Sequence, residues 1–432
     1  VRVAVIGAGI VGATTAFELA SDGHDVTVFE RCSSAAAVSS FATGGLLAAG
    51  TAAPWAGPGA GARLLRGLLM RGGPMPVRSL DAGAAGWMWR AWRASQPKRH
   101  GAQRALMLRL ARYSQLRLQE LTRHLQLEFE RSGGVLTLLR TRKAMAQAQA
   151  GLGWLNEHGI AARMLDAEQC RHLEPGLNEA TALYGGLHFP DDQAGNCRQF
   201  ALLMRNEAER LGARFRFQAE VTGIAPGRPA RLEWAAARAA QADAPAEGPE
   251  AQSERFDAVV ICAAFGAPAL LAPLGLRLPL LAVHGHSVTA PMRHHDDDAR
   301  RGPRSALIDQ QHRVVITRLG TRLRVTGGFE LGGDPARPRE ASLAALYSGL
   351  NDWFPGVAQM GQAVRWKGAS PMLPDGPPVI GRSGQEGVWL NLGHGAQGWA
   401  MACGAARLVA DALAERPPGI SLEGLGAERF RR

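Results

Sequence analysis

The residues with the most chemical meaning stand at the start of the chain. Gly7-Ala8-Gly9-Ile10-Val11-Gly12 has the spacing G-x-G-x-x-G, and an acid, Glu30, follows 18 residues after the last glycine. Each glycine has a mechanical reason. Gly7 turns a strand tightly into a helix, Gly9 lets the backbone approach a pyrophosphate, and Gly12 lets the helix lie close on its strand. The new helix offers N–H groups and a partial positive charge to phosphate oxygens. Glu30 is placed to accept hydrogen bonds from an adenosine ribose. The chemistry implied is dinucleotide binding, and the motif leaves NAD and FAD both open.

The elements needed to position these residues are legible around them. Arg2–Ile6 is a short apolar run that reads as a strand, Ala13–Ser21 as a helix, and Asp25–Glu30 as a second strand. A second formal G-x-G-x-x-G, Gly393-His394-Gly395-Ala396-Gln397-Gly398, follows the strand Val388–Leu392 and precedes a helix running to about Leu413. No strand with a terminal acid follows it. It reads as a loop that aims a helix N-terminus at something electron-rich, not as a second nucleotide fold.

With 432 residues the chain is expected to form two domains. Hydrophobic content of 46% and charged content of 20% fit a globular protein. Of the 49 basic residues only Lys98, Lys143 and Lys367 are lysines, and the arginines are scattered along the chain. No basic block interleaved with aromatics occurs, so the net charge of +11 does not predict nucleic-acid binding. Mild attraction to anionic lipid is compatible with it. The five cysteines are odd in number and far apart, which indicates neither a disulfide framework nor a zinc site. A strand beginning at residue 2 leaves no room for a signal peptide ahead of it, so a reducing cytoplasm is expected. The apolar window 259–283 contains Pro268, Pro273, Arg277 and Pro279 and reads as a strand and a short helix, not a membrane span.

Between the two glycine motifs, Phe41–Leu47 carries the pair Gly44-Gly45, suited to close backbone approach. Ala62–Arg71 is a short basic amphipathic segment, a candidate for peripheral contact with the inner face of a membrane. Residues 83–131 read as helices, with Leu110, Leu118, Leu121 and Leu125 forming a core stripe. A strand is expected over 133–139, helices near 143–158 and 198–211, and strands at 214–217 and around Val221. Ala235–Glu254 reads as a long low-complexity loop, 256–264 as a buried strand, and 284–329 as strand-rich.

Several stretches together carry a family resemblance. The chain resembles the bacterial D-amino-acid dehydrogenases (small subunit), within the D-amino-acid oxidase superfamily of flavoproteins. The N-terminal unit is similar to their FAD site, and Ser40–Gly45 to the following flavin loop. Pro54–Gly59, Pro190–Cys197, Pro374–Gly381 and the terminal 393–404 match further signatures in the same order. The resemblance implies FAD, held by Gly7, Gly9, Ile10, Val11, Gly12, Glu30 and Arg31, by Ser40, Gly44, Gly45 and Leu46, by Val221, and by Gly393, His394, Gly395, Gln397, Gly398 and Trp399. It also implies an α/β (α+β) fold in which a Rossmann-like FAD-binding domain (1–80, 195–275 and 365–432) interleaves with a substrate domain of mixed sheet and helices (81–194 and 276–364). In such enzymes a hydride leaves the amine-bearing carbon for the flavin, the product imine hydrolyses, and no side chain performs covalent or acid–base catalysis.

Three departures from the family pattern matter, and the first two bear on the substrate. Where the family carries Gly-Leu-Arg-Pro, this chain has Gly368-Ala369-Ser370-Pro371, so Ser370 replaces the arginine expected to grip a carboxylate. Gly285-His286-Ser287 stands in place of Gly-Tyr-Ser, and Asn196 in place of an aspartate, a change that reads as structural. His284, His286, Arg365 and Lys367 are the nearby groups able to substitute for the arginine, and a distant arginine is the other candidate. The expected reaction is oxidation of an amine or D-amino acid, with electrons passed to a quinone or another acceptor. The alternatives are oxidation of a secondary or cyclic amine in the same fold, and a flavin-binding subunit of a larger complex.

Overall fold

The first thirty residues form the expected unit. Strand Arg2–Ile6, helix Ile10–Ser21 and strand Asp25–Glu30 follow one another in a computed structural model. It describes residues 1–59, 76–77, 81–237, 251–293, 302–332, 334 and 337–430. The strands join a six-stranded sheet in the order Val379–Arg382, Val388–Leu392, Ala258–Ile261, Arg2–Ile6, Asp25–Glu30 and Arg214–Phe217. Neighbours are parallel except for the antiparallel pair at 379–392. Both faces are covered, as a parallel sheet requires. Val3 and Val5 point into a core made with helices Ile10–Ser21, Pro97–His124, Cys197–Arg210 and Gly398–Leu413. Ala4 and Ile6 point the other way, towards a three-stranded sheet of 219–225, 230–236 and 252–256.

A buried ionic knot holds three of these helices together. The Glu18 carboxylate, fully buried, takes two hydrogen bonds from Arg117 at 2.7 and 2.8 Å and one from Arg407 at 2.8 Å. Removing one partner of such a set typically costs about 3–5 kcal/mol, because the remaining charge is left unpaired out of water.

A larger sheet lies beyond the nucleotide unit. Its order is Val364–Met372, Leu281–Pro291, Arg322–Leu331, Val314–Leu319, Ala306–Asp309, Ser132–Leu139, Gly185–Ala194 and Leu46–Leu47, with Arg163–Asp166 pairing 185–194 at the side. Helix Glu340–Trp353 packs on one face through Leu343, Leu346 and Trp353.

Several expectations need correction. The helical stretch ends early and is broken: helices run Ala82–Ala94 and Pro97–His124, interrupted where Pro97 opens the second at its first turn. Residues 230–236 and 252–256 are paired antiparallel strands, so the ends of the low-complexity run are ordered; 238–250 lie outside the described residues. The strand expected over 256–264 is confined to Ala258–Ile261. A boundary at 364/365 would cut the strand Val364–Met372, which belongs to the larger sheet. The basic segment 62–71 lies outside the described residues.

Candidate active site

The glycine turn is built as its spacing requires. Gly7 has φ +100°, and a Cβ there would stand 2.9 Å from the Cys262 carbonyl oxygen. A Cβ on Gly12 would lie 1.8 Å from the Gly7 oxygen, so the helix presses against its own turn. On Gly9 it would meet only Ser40 Oγ, at 3.5 Å, with open space beyond. Ser40 Oγ accepts from the Ile10 N–H at 3.0 Å and so occupies one of the donors that every helix start leaves unmet. Glu30 has a task beyond the one expected of it. Its carboxylate accepts from Ala8 N–H at 2.7 Å and from Cys32 N–H at 2.8 Å, pinning both sides of the turn. Each oxygen keeps a further lone pair for a ligand hydroxyl.

From this turn a cavity of about 820 Å³ runs to the larger sheet, within the usual size of ligand clefts. Gly7, Gly9, Ile10, Val11, Glu30 and Arg31 line one end; Gly12 lies behind the turn and not on the wall. Ser40, Gly44, Gly45, Leu46 and Val221 line its flank, and the run Gly393–Ala400 lines the wall where helix Gly398–Leu413 begins. The far end is formed by the strands Leu281–Pro291, Arg322–Leu331 and Val364–Met372, through Gly285, His286, Phe329, Trp366 and Ser370.

The residues fit a polar, extended ligand. Four residues of this lining hold buried side-chain atoms without a hydrogen-bond partner: Asn391 Oδ1, His394 Nε2, Gln397 Oε1 and Trp399 Nε1. Buried polar atoms are rarely left so, and four belong to residues of one wall, in keeping with a polar ligand there, although the Trp399 ring itself packs on Phe129 and Phe200. Burial holds the His394 imidazole down to about 3, so it is neutral at any working pH. Gln397 is fixed by its Nε2 donating to the Thr51 carbonyl at 2.8 Å. The loop before Thr51 is in turn fixed by Asp192, whose carboxylate accepts from the N–H groups of Ala49 and Gly50 at 3.0 and 3.1 Å.

At the substrate end, the structure separates the five sequence-derived candidates. Ser370 and His286 line the cavity; His284, Arg365 and Lys367 do not. Lys367 is buried and paired with Glu330 at 2.5 Å, and its Nζ also donates to the carbonyls of Asp334 and Arg337. Arg365 lies on the exposed side, donating to Tyr347 Oη at 2.9 Å and near Glu340. His286 has both nitrogens engaged. Nδ1 lies 2.9 Å from the Gly328 carbonyl and Nε2 accepts from Arg339 N–H at 3.0 Å, which fixes the tautomer with the proton on Nδ1. Burial lowers its basicity as well. The expectation that Arg365, Lys367 or His284 takes over the missing arginine's role therefore fails on geometry. Among the described residues lining the cavity, Arg31 supplies the sole arginine or lysine side chain, and it neighbours Glu30 at the opposite end. Sequence reasoning missed Phe329, Trp366 and Asn391.

A mixed fold with a glycine turn, a second glycine loop and a covering sheet around one cavity defines a class of flavoprotein. Residues 2–412 match the DAO family, FAD dependent oxidoreductase, and the chain belongs to that family. It is 39% identical over 434 residues to the D-amino acid dehydrogenase of Cereibacter sphaeroides, covering 99% of this chain and 95% of the relative. It is 34% identical over 432 residues to that of Bradyrhizobium diazoefficiens, covering 99% of each. Glycine oxidase from Geobacillus kaustophilus shares the fold, with a TM-score of 0.72 over 100% of both chains at 20% identity. L-proline dehydrogenase from P. horikoshii does so at 0.70 over 99% of this chain and 97% of that one, with 16% identity. The protein is an FAD-dependent oxidoreductase, and its cofactor is FAD.

Proposed function

We propose that this enzyme oxidises the C–N bond of an amine or amino acid whose recognition does not rest on an arginine at position 370. Bound FAD supplies the acceptor for the hydride that leaves the amine-bearing carbon, and the resulting imine hydrolyses. The chain's own residues do the rest. Gly9, Ile10 and Val11, at the start of helix Ile10–Ser21, would hold the pyrophosphate and Glu30 the ribose. Gly44, Gly45 and Leu46 with Gly393–Trp399 would hold the ring system. The N-terminus of helix Gly398–Leu413 would favour negative charge developing there. The sheet residues at the far end exclude water from the reacting carbon. His286 moves no proton, since both of its nitrogens are engaged, so it does not serve as the base that deprotonates the amine.

The observation that carries this reading is the single cavity joining the glycine turn, the second glycine loop and the sheet wall. Anaerobic bleaching of the yellow protein by a panel of amines and amino acids tests it. Reduction by at least one amine is expected, and full colour with every amine would overturn it.

For the electron acceptor we favour a quinone, on one complete dinucleotide unit and a charge that is uneven along the sequence. Arginines are spread along the chain, but acids are not. Residues 31–119 hold thirteen arginines and lysines against one acid, Asp81, while the remainder holds 36 against 37. On helix Ala82–Ala94 of this stretch, Trp89 and Trp92 are about half exposed, and the Arg93 guanidinium lies 4.8 Å from the Trp89 ring centre. Tryptophan and arginine side by side suit a lipid–water interface with anionic headgroups. No helix among the described residues is long and apolar enough to cross a membrane, so contact would be peripheral. Flotation with anionic but not zwitterionic vesicles, reduced by Trp89→Ser with Trp92→Ser, is the expected result. Failure of the wild type to float removes the membrane reading and leaves the chemistry untouched.

A further inference from the structure

Resting on that reading of the cavity, we propose that Trp366 and Phe329 form an aromatic specificity wall, and that the preferred substrate is an uncharged amine bearing a planar apolar group. Two glycines set the geometry. Gly285 and Gly368 face each other across the strands Leu281–Pro291 and Val364–Met372. A Cβ on Gly368 would lie 1.7 Å from the Trp366 indole, and one on Gly285 would lie 3.2 Å from the Phe329 ring. Both rings therefore lie down over bare backbone, which a side chain at Gly368 would forbid. Both line the cavity, and neither is fully packed: Trp366 is half-buried and Phe329 is 37% exposed. Trp366 is supported from one side by Phe41, with ring centres 6.2 Å apart and planes inclined by 30°.

The polar inventory of this end is sparse in the same direction. Ser370 offers one neutral hydroxyl, His286 is engaged twice, and no acid, lysine or arginine among the described residues lines the far end. A carboxylate placed here would lose its hydration without gaining a charged partner among the described residues, which is unfavourable by on the order of 10²–10³. A flat apolar group loses nothing and gains ring-on-ring contact. The competing account is that the rings merely shield two glycines and stabilise the sheet, as aromatics opposite glycine do. On that account the rings have no part in ligand choice.

The test uses the purified yellow holoenzyme and two readouts. The first is perturbation of the flavin absorption band by the non-oxidisable pair benzamide and benzoate, which differ in charge. The second is the anaerobic bleaching rate with benzylamine, propylamine and D-alanine. Benzamide should bind tighter than benzoate, and benzylamine should bleach faster than propylamine by about tenfold, the worth of one aromatic pair. Trp366→Ala should erase both preferences, and Gly368→Ala should weaken benzamide because its methyl displaces the indole. Equal binding of benzoate, equal rates for propylamine or D-alanine, or a Trp366→Ala variant that only melts earlier would each overturn the inference. If no amine bleaches the protein, the amine-oxidation reading fails, yet the benzamide series still decides the wall.

Discussion

Gly9 and Gly12 sit three residues apart in one motif, and the structure assigns them opposite failures. Gly9 has φ −67° and ψ −177°, a conformation open to any residue, and its Cβ would touch the protein only at Ser40 Oγ, 3.5 Å away. In Gly9→Val the added carbons enter the cavity and not the fold. The apoprotein should keep its stability within about 0.5 kcal/mol, as at positions without a packing role. FAD binding should suffer heavily. Losing two charge-assisted hydrogen bonds at about 1.5–3 kcal/mol each raises Kd by roughly 10²–10⁴. In Gly12→Ala the new methyl would sit 1.8 Å from the Gly7 oxygen and 2.9 Å from the Gly7 carbonyl carbon. Both are backbone atoms, so no rotamer change relieves the overlap. Overpacking of this kind costs about 1–3 kcal/mol and often more, and the apoprotein itself should melt several degrees earlier. The assay is flavin content on purification, FAD titration of stripped protein, and calorimetry of both apoproteins. Full flavin occupancy in Gly9→Val would refute the placement of the pyrophosphate. Equal melting losses in the two variants would refute the distinction drawn between them.

Glu30→Ala removes the acceptor of two backbone N–H groups as well as a ribose contact, so it should weaken FAD by about 1–3 kcal/mol and also lower apoprotein stability. A variant that loses only FAD affinity would show that the pinning bonds carry no weight. Asp192→Asn turns an amide N–H₂ towards a backbone donor at residues 49–50 and should cost about 1–3 kcal/mol, with looser flavin through the Thr51–Gln397 contact; unchanged melting would argue against this. Ser370→Arg should improve bleaching by D-alanine by tens to thousands of times, since a buried charged partner is worth about 2–5 kcal/mol; no gain would mean that the substrate lies elsewhere. His394 has its folded pKa lowered from 6.5 to about 3, so its neutral form favours folding above pH 6.5 and that stability is lost as pH falls towards 3. Between pH 7.5 and 5 the wild type should lose about 2 kcal/mol relative to His394→Asn, read as the difference in melting temperature. Parallel curves for the two proteins would place the histidine in contact with water.

Legibility in the sequence follows the range of the signal. The nucleotide unit is legible because its marks are local: alternation, helix, glycine spacing and acid all fall within thirty residues. The strand Gly185–Ala194 is hidden because Pro190, Asp191 and Asp192 argue against a strand, and its place is fixed by pairing with 132–139. The substrate end is more instructive. Arg365 and Lys367 are candidates beside Ser370 only by closeness in sequence. Val364–Met372 is a strand, however, and alternation puts the side chains of Trp366 and Ser370 on one face and the two cations on the other, although Ala369 and Pro371 also line the cavity. Once the stretch is known to be a strand, parity disfavours both, and their pairing with Glu330 and Tyr347 excludes them. The Glu330 partner of Lys367 lies two strands away in the sheet order and leaves no local sign.

The order of the central sheet has a consequence for how the protein is made. Strand Arg2–Ile6 lies between 25–30, available at once, and 258–261, which pairs with it from 255 residues further on. At about 5–20 residues per second, a ribosome needs roughly 13–50 s to deliver that second neighbour. Until then the surface against which Gly7 turns, the Cys262 carbonyl, does not exist, and the loop 393–399 comes later still. Cofactor capture is therefore late in the order of synthesis. The exposed edge of the early strand is a hazard until 258–261 arrives, and slow translation should lower the yield of yellow protein.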